Sequence, residues 1–170
     1  MKTFLSLSFT IAFSFIFFAC RKPHTEGPRS RDYYVSYKVN GILVTNMRST
    51  YAWLKPKYQD SSRMEFQMVA QTNDWKDAFG FTIQKPGSID VGTYSTVYPY
   101  YLIVDYFKDI GMVFEKDYSI IDPNNPASVF TFTFTSITTK DFKGNFSGNL
   151  YCGTELMSIT EGEFFVRRTP

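Results

Sequence analysis

Histidine is almost missing from this chain of 170 residues: His24 is the only one. It lies among basic residues, proline and glycine, outside the patterned part of the sequence. A folded domain downstream therefore has no imidazole for a Ser-His-Asp or Cys-His arrangement, nor for a histidine-based zinc centre. Nucleotide-cradling loops are missing too, since neither GxGxxG nor GxxxxGK[ST] occurs. An excess of one charge is also lacking. The chain has 18 basic and 16 acidic side chains, a formal net charge of +2, and no basic block in its body. That leaves no electrostatic footprint for nucleic acid. After residue 31 no stretch of ten or more residues carries a helical period, which excludes a helix bundle. No cofactor is implied by any of these features.

What is abundant is aromatic: 18 phenylalanines, 12 tyrosines and 2 tryptophans. Six of the phenylalanines fall between Phe4 and Ala19, a run of sixteen uncharged residues after the single charge of Lys2. A charged start followed by a short apolar run is the pattern of an export signal, and at ~1.5 Å per residue it is too short to cross a bilayer core of ~30 Å as a helix. Phe17 is wrong for ordinary cleavage after Ala19, which wants a small residue there. Phe17-Phe18-Ala19-Cys20 instead resembles a lipobox, in which the cysteine becomes the lipidated first residue. That resemblance implies a signal peptide over residues 1–19, lipid attachment at Cys20 and stable membrane anchoring by two or three acyl chains. With Cys20 lipidated, the second and last cysteine, Cys152, has no partner for an internal disulfide, and the fold must rest on its hydrophobic core. Cys152 itself is read as a structural thiol, there being no histidine near it.

Residues 20–31 form the lipidated cysteine and a flexible tether. Arg21 to Arg31 carry four basic residues, two prolines and a glycine with no apolar periodicity, the composition of a solvated linker next to headgroups. From residue 32 to 170 period two dominates. Val35, Tyr37 and Val39 alternate with polar neighbours; Asn40-Gly41 supplies a tight hairpin, and Ile42 to Met47 returns antiparallel. Met64, Phe66, Met68 and Ala70 share a face, as do Phe79, Phe81 and Ile83. Tyr101 to Phe107 and Gly111 to Lys116 read as a hairpin around Lys108-Asp109. Phe130, Phe132 and Phe134 alternate with threonines in the clearest strand of all. Phe142, Gly144, Phe146, Gly148 and Leu150 share one face of another, whose glycines point to a bulge, a bend or close packing of a neighbouring aromatic. Met157 to Val166 reads as two short strands around Glu161-Gly162. Nine or ten short strands define an all-β, antiparallel domain, a β-sandwich, with a lipocalin-like β-barrel as the alternative. The sandwich is preferred because strand lengths are uneven and the segments from Ser49 to Arg63 and from Asp117 to Ala127 read as long loops.

Four short strings carry a family resemblance: Val39-Asn40-Gly41, Ile89-Asp90-Val91-Gly92-Thr93-Tyr94, Lys143-Gly144-Asn145-Phe146-Ser147-Gly148 and Ile159-Thr160-Glu161-Gly162-Glu163-Phe164. Together they resemble a group of small uncharacterised Bacteroidota outer-membrane lipoproteins with a β-sandwich domain. The likeness spans most of residues 32–168 and consists of turn glycines and core aromatics. It implies a fold and an outer-membrane location but no activity for any residue. Acidic residues after the lipidated cysteine accompany surface display in that phylum; Arg21-Lys22 stand there instead, which implies a position facing the periplasm.

The function expected is that of a lipid-anchored, non-catalytic envelope protein, a binding module for a glycan or other envelope ligand. The alternative is a structural or accessory lipoprotein that docks on an outer-membrane partner. A paired-carboxylate glycosidase is the remaining enzyme reading, with Asp105, Asp109, Glu115, Glu161 and Glu163 as the available acids. Asp122, Asn124 and Asn125 offer oxygen ligands for calcium but read more simply as a proline-bounded turn. Tyr94, Tyr98, Tyr100, Tyr101 and Tyr106 cluster around Pro99, while Trp53 and Trp75 sit in polar loop contexts. Of these, Tyr98, Tyr100 and Trp75 are the rings expected to offer stacking surface to a ligand.

Overall fold

A computed structural model describes residues 33–170 with the exception of 73, 97–100, 113–114 and 121–128; the side chains of 45–50 and 101 also lie outside the description. The signal segment, Cys20, the tether, Tyr98, Tyr100 and the Asp122–Asn125 turn fall outside the described residues. Asp32–Pro170 forms one compact unit.

The described residues form ten strands and no helix: β1 (Tyr34–Val39), β2 (Ile42–Lys57), β3 (Asp60–Gln71), β4 (Ala78–Pro86), β5 (Gly92–Ser95), β6 (Tyr101–Lys108), β7 (Lys116–Ser119), β8 (Phe130–Ile137), β9 (Asp141–Cys152) and β10 (Glu155–Arg167). All pair antiparallel in a single sheet ordered β10-β1-β2-β3-β4-β6-β7-β9-β8-β5. The all-β antiparallel fold read from period two is thus the one observed. β10 also pairs with β9 along most of its length, so the sheet returns on itself. The circuit closes through one residue pair, Ser119 of β7 with Tyr151 of β9. Lys116 and Tyr118 reinforce that junction by donating to the two carboxylate oxygens of Glu155 at the start of β10.

Two halves of this sheet face each other across a layer of rings. Phe66 on β3 meets Phe134 on β8 edge-on at 4.8 Å and Phe142 on β9 at 5.1 Å. Phe81 on β4 lies 4.6 Å from Phe132 and 4.9 Å from Phe146, and Phe132 stacks on Phe164 of β10 at 4.7 Å. Offset and edge-on geometries of this kind let rings fill an interior at high density without electrostatic penalty. Phe130, Phe132 and Phe134 of β8, Phe142 and Phe146 of β9 and Phe164 of β10 are buried in this layer.

Three sequence expectations need correction. Ser49 to Arg63 is not a loop: β2 runs on to Lys57, only Tyr58-Gln59 turn, and β3 starts at Asp60. Ala52 is buried on the inner side while Trp53 lies under Lys55, whose Nζ is 4.0 Å from the ring centroid, so an aromatic on the outer face hid the alternation. Trp53 is therefore a strand residue. The strand returning after β6 begins at Lys116, not Gly111, and takes Asp117–Ser119 from the expected second loop. β10 is one strand, not two. Glu161 has φ +50° and the register slips between Ile159 and Gly162, a bulge rather than a hairpin. The Asn40-Gly41 hairpin is present with both residues at positive φ, as a two-residue turn matched to strand twist requires.

Candidate functional site

On the outer surface of β8, β9, β10 and β1 lies a shallow groove of about 170 Å³, lined by Tyr34, Thr135, Lys143, Gly144, Asn145 and Glu163. Strand register brings it together. Asn145 of β9 faces Glu163 of β10, Lys143 faces Phe165, and Phe165 faces Tyr34 of β1. Thr135 sits where the β8 register slips between Phe134 and Ser136, and a bulge there re-aims a side chain that would otherwise follow the pleat. Gly144 of β9 lies beneath the groove, with its side-chain position turned inward to the core and not into the groove. A β-carbon at that position would stand 1.9 Å from the Thr133 carbonyl and 2.6 Å from the Phe164 ring, so no larger residue fits between β9 and the core.

The groove's chemistry is polar with one aromatic side. Tyr34 donates from its hydroxyl to Glu163 Oε2 at 3.4 Å. Partial burial, and then the Glu163 carboxylate, raise the Tyr34 hydroxyl above its ordinary value of 10.0, so it remains a donor at neutral pH. Phe165, beside Tyr34, is in ring contact with Tyr33 at 5.0 Å. A hydroxyl, an amide, a carboxylate and an ammonium beside the Tyr34 ring form a set that can hydrogen-bond a polyol and offer its apolar face one stacking surface.

Trp75 stands elsewhere. It is 65% exposed with φ +63°, a conformation that costs a bulky residue on the order of 1 kcal/mol or more and persists only when its surroundings impose it. The imposing contacts are visible. Trp75 N donates to Thr72 O at 3.0 Å, Thr72 Oγ1 to Asp74 Oδ1 at 2.6 Å, Asp77 N to Thr72 Oγ1 at 3.0 Å, and Tyr106 OH to Asp77 Oδ2 at 2.8 Å. At the same end of the sheet, Ile42, Leu43, Met112 and Leu156 are exposed. That end is defined by the Asn40 hairpin bonded to Ser158, by Ile110 N donating to Lys76 O, and by Glu155 clamping β7. This end lies opposite the end of β1 that carries Tyr34.

The other expected residues disperse. Tyr94 and Tyr106 of the tyrosine cluster are buried in the core, Tyr94 donating to Asp90 O at 2.8 Å. Among the acids, Glu161 pairs with Lys38 at 2.6 Å, Glu115 Oε2 accepts from Gly111 N at 2.9 Å, and Asp109 N donates to Asp77 Oδ1 at 3.1 Å. Asp105 is half-buried on the outer face of β6; the register places Asp117 on the neighbouring strand diagonal to it. Burial and then the Asp117 charge raise its carboxyl above 3.8. Glu163 alone of the five acids lines the groove, where Tyr34, Asn145, Lys143 and Thr135 join it without having been anticipated. Only the strand register, which the chain does not print, could have grouped them. Among the described residues no group of three or more metal-ligating side chains occurs. No family model, curated protein or solved structure matches this chain.

Proposed function

We propose that this protein is a lipid-anchored, non-catalytic binding module of the cell envelope, and that its ligand is a glycan held in the groove of Tyr34, Asn145, Lys143, Thr135 and Glu163. The observation that carries the reading is the groove itself: a concave polar surface with one acidic and one basic side chain and the Tyr34 ring at its side. The charged start, the apolar run, Ala19-Cys20 and the resemblance to Bacteroidota lipoproteins support export, lipidation at Cys20 and an outer-membrane position facing the periplasm. Metabolic labelling with a fatty acid marks the wild type in this account, and Cys20→Ser loses the label; a labelled Cys20→Ser protein contradicts the anchor.

For the ligand, residues 21–170, which contain the whole compact unit, are applied to a glycan array beside the Tyr34→Ala/Asn145→Ala variant. Stacking and amide contacts of this type contribute on the order of 1 kcal/mol each, so the double variant binds roughly tenfold or more weakly. An array that retains nothing, or retention unchanged in the variant, overturns the assignment.

The rim around Trp75 favours a second reading, an accessory lipoprotein that docks on an outer-membrane partner. Exposed aromatic and aliphatic side chains gathered at one end of the sheet suit a protein surface better than a sugar. In that case Trp75→Ala, and not the groove variant, abolishes the cellular role while the fold is kept.

A further inference from the structure

The groove is one part of a longer line. Across the outer face, Thr93 of β5 is paired with Thr133 of β8, Thr133 with Asn145 of β9, Asn145 with Glu163 of β10, and Glu163 with Ser36 of β1. Five strands thus place one polar residue each in a single row perpendicular to their axes. Tyr94, Phe134, Phe146, Phe164 and Val35, their inward-pointing neighbours along the same strands, are buried, so period two turns all five members of the row outward. At ~4.8 Å between strands the row spans roughly 19 Å. Thr93 Oγ1 and Thr133 Oγ1 are 2.9 Å apart, a hydrogen-bonded hydroxyl pair on the exposed surface. Tyr34, Lys143 and Thr135 flank the row at its Glu163–Asn145 section.

We propose that this row is a binding track for a linear, neutral, β-linked glycan lying across β1, β10, β9, β8 and β5, with Tyr34 as the stacking platform near one end. The proposal rests on the glycan-binding reading and adds the ligand's shape and charge. Three features select that class. The single carboxylate of the row has Lys143 beside it, so an anionic chain gains little and meets Glu163. Hydroxyl, amide and carboxylate groups in sequence match a ligand that offers a donor and an acceptor on every unit. The repeat of one polar group per ~4.8 Å is close to the advance per ring of an extended β-1,4-linked chain, so about four or five rings occupy the track. A protein partner would need an apolar stripe along the row, and the five members provide none.

Calorimetric titration of residues 21–170 with cello-oligosaccharides of two to six rings tests it, using wild type, Thr93→Val/Thr133→Val and Tyr34→Ala. Both valines keep the branched shape that a strand accommodates and remove only the hydroxyls. Expected are a Kd that falls at least tenfold from two to five rings and is flat from five to six, and a hexaose Kd raised about tenfold by the two valines with that for cellobiose unchanged. Tyr34→Ala weakens every length. Length-independent binding, a hexaose affinity unmoved by the valines, or no binding of any cello-oligosaccharide overturns the track. The array decides the underlying reading separately, since retention of some other glycan there leaves the groove standing when the track has failed.

Discussion

Gly144 shows how the core and the groove constrain each other at a single residue. It lines the groove from the outer side, while on the core side its missing side chain lets β9 approach Phe164 and the Thr133 carbonyl. Gly144→Ala forces a methyl group to within 1.9 Å of that carbonyl unless the strand moves. Overpacking of this kind costs about 3 kcal/mol, which lowers the Tm by roughly 10 °C in a domain of this size. A melting curve within about 2 °C of wild type would show that the contact relaxes freely. Asp105 is a second instructive residue, and its effect depends on pH. Burial, then Asp117, raise its carboxyl above 3.8, so the folded state holds the proton more tightly than the unfolded chain. That contribution to stability is fully present below pH 3.8 and is lost as pH rises through the folded value, leaving an unfavourable charge at neutrality. Asp105→Asn is therefore expected to stabilise at pH 7 and to have little effect near pH 3. Denaturant midpoints at the two pH values check it, and a variant less stable than wild type at pH 7 contradicts it.

At the scale of elements, β2 is the strand whose outer half lacks β1 as a neighbour, since their pairing ends at Val35–Met47. An unpaired edge there would be a template for association. The C-terminal residues cover it. Thr169 N donates to Ala52 O at 2.6 Å, Ala52 N to Thr169 Oγ1 at 3.3 Å, and Arg168 Nη2 to Leu54 O at 3.1 Å, with the guanidinium 5.6 Å from the Phe142 ring centroid. Pro56, Lys55 and Lys57 protect the stretch beyond. At about 1 kcal/mol net per hydrogen bond, deleting residues 168–170 destabilises by roughly 2–4 kcal/mol and exposes the Ala52–Leu54 edge. Chemical denaturation and light scattering at rising concentration measure both effects; unchanged stability and a monodisperse monomer would show that the tail is dispensable. The elements were largely legible in the chain, because Phe130-Thr131-Phe132-Thr133-Phe134 and its like encode burial by alternation alone. β2 was foreshortened because Trp53 is aromatic yet faces outward, and Glu161-Gly162 reads as a turn although the strand continues through it as a bulge. The groove was not legible at all. Tyr34, Asn145 and Glu163 are separated by more than a hundred and by eighteen positions, and ordinary polar strand residues become a site only through register.

On the scale of the whole molecule, one sheet wraps an aromatic core, joins its ends through a single backbone pair and a Glu155 clamp, and presents two unlike surfaces. The polar track lies on a face near the start of β1, where the chain enters the domain, and the apolar rim of Trp75 lies at the opposite end. Which surface meets the ligand is the central question, and amide chemical-shift mapping of isotopically labelled residues 21–170 answers it directly. Titration with the glycan best retained on the array is expected to move the amides of Ser36, Thr133, Asn145 and Glu163 and leave Trp75 and Met112 in place. Shifts confined to the Trp75 end, with the β8–β9–β10–β1 face unmoved, would contradict the account.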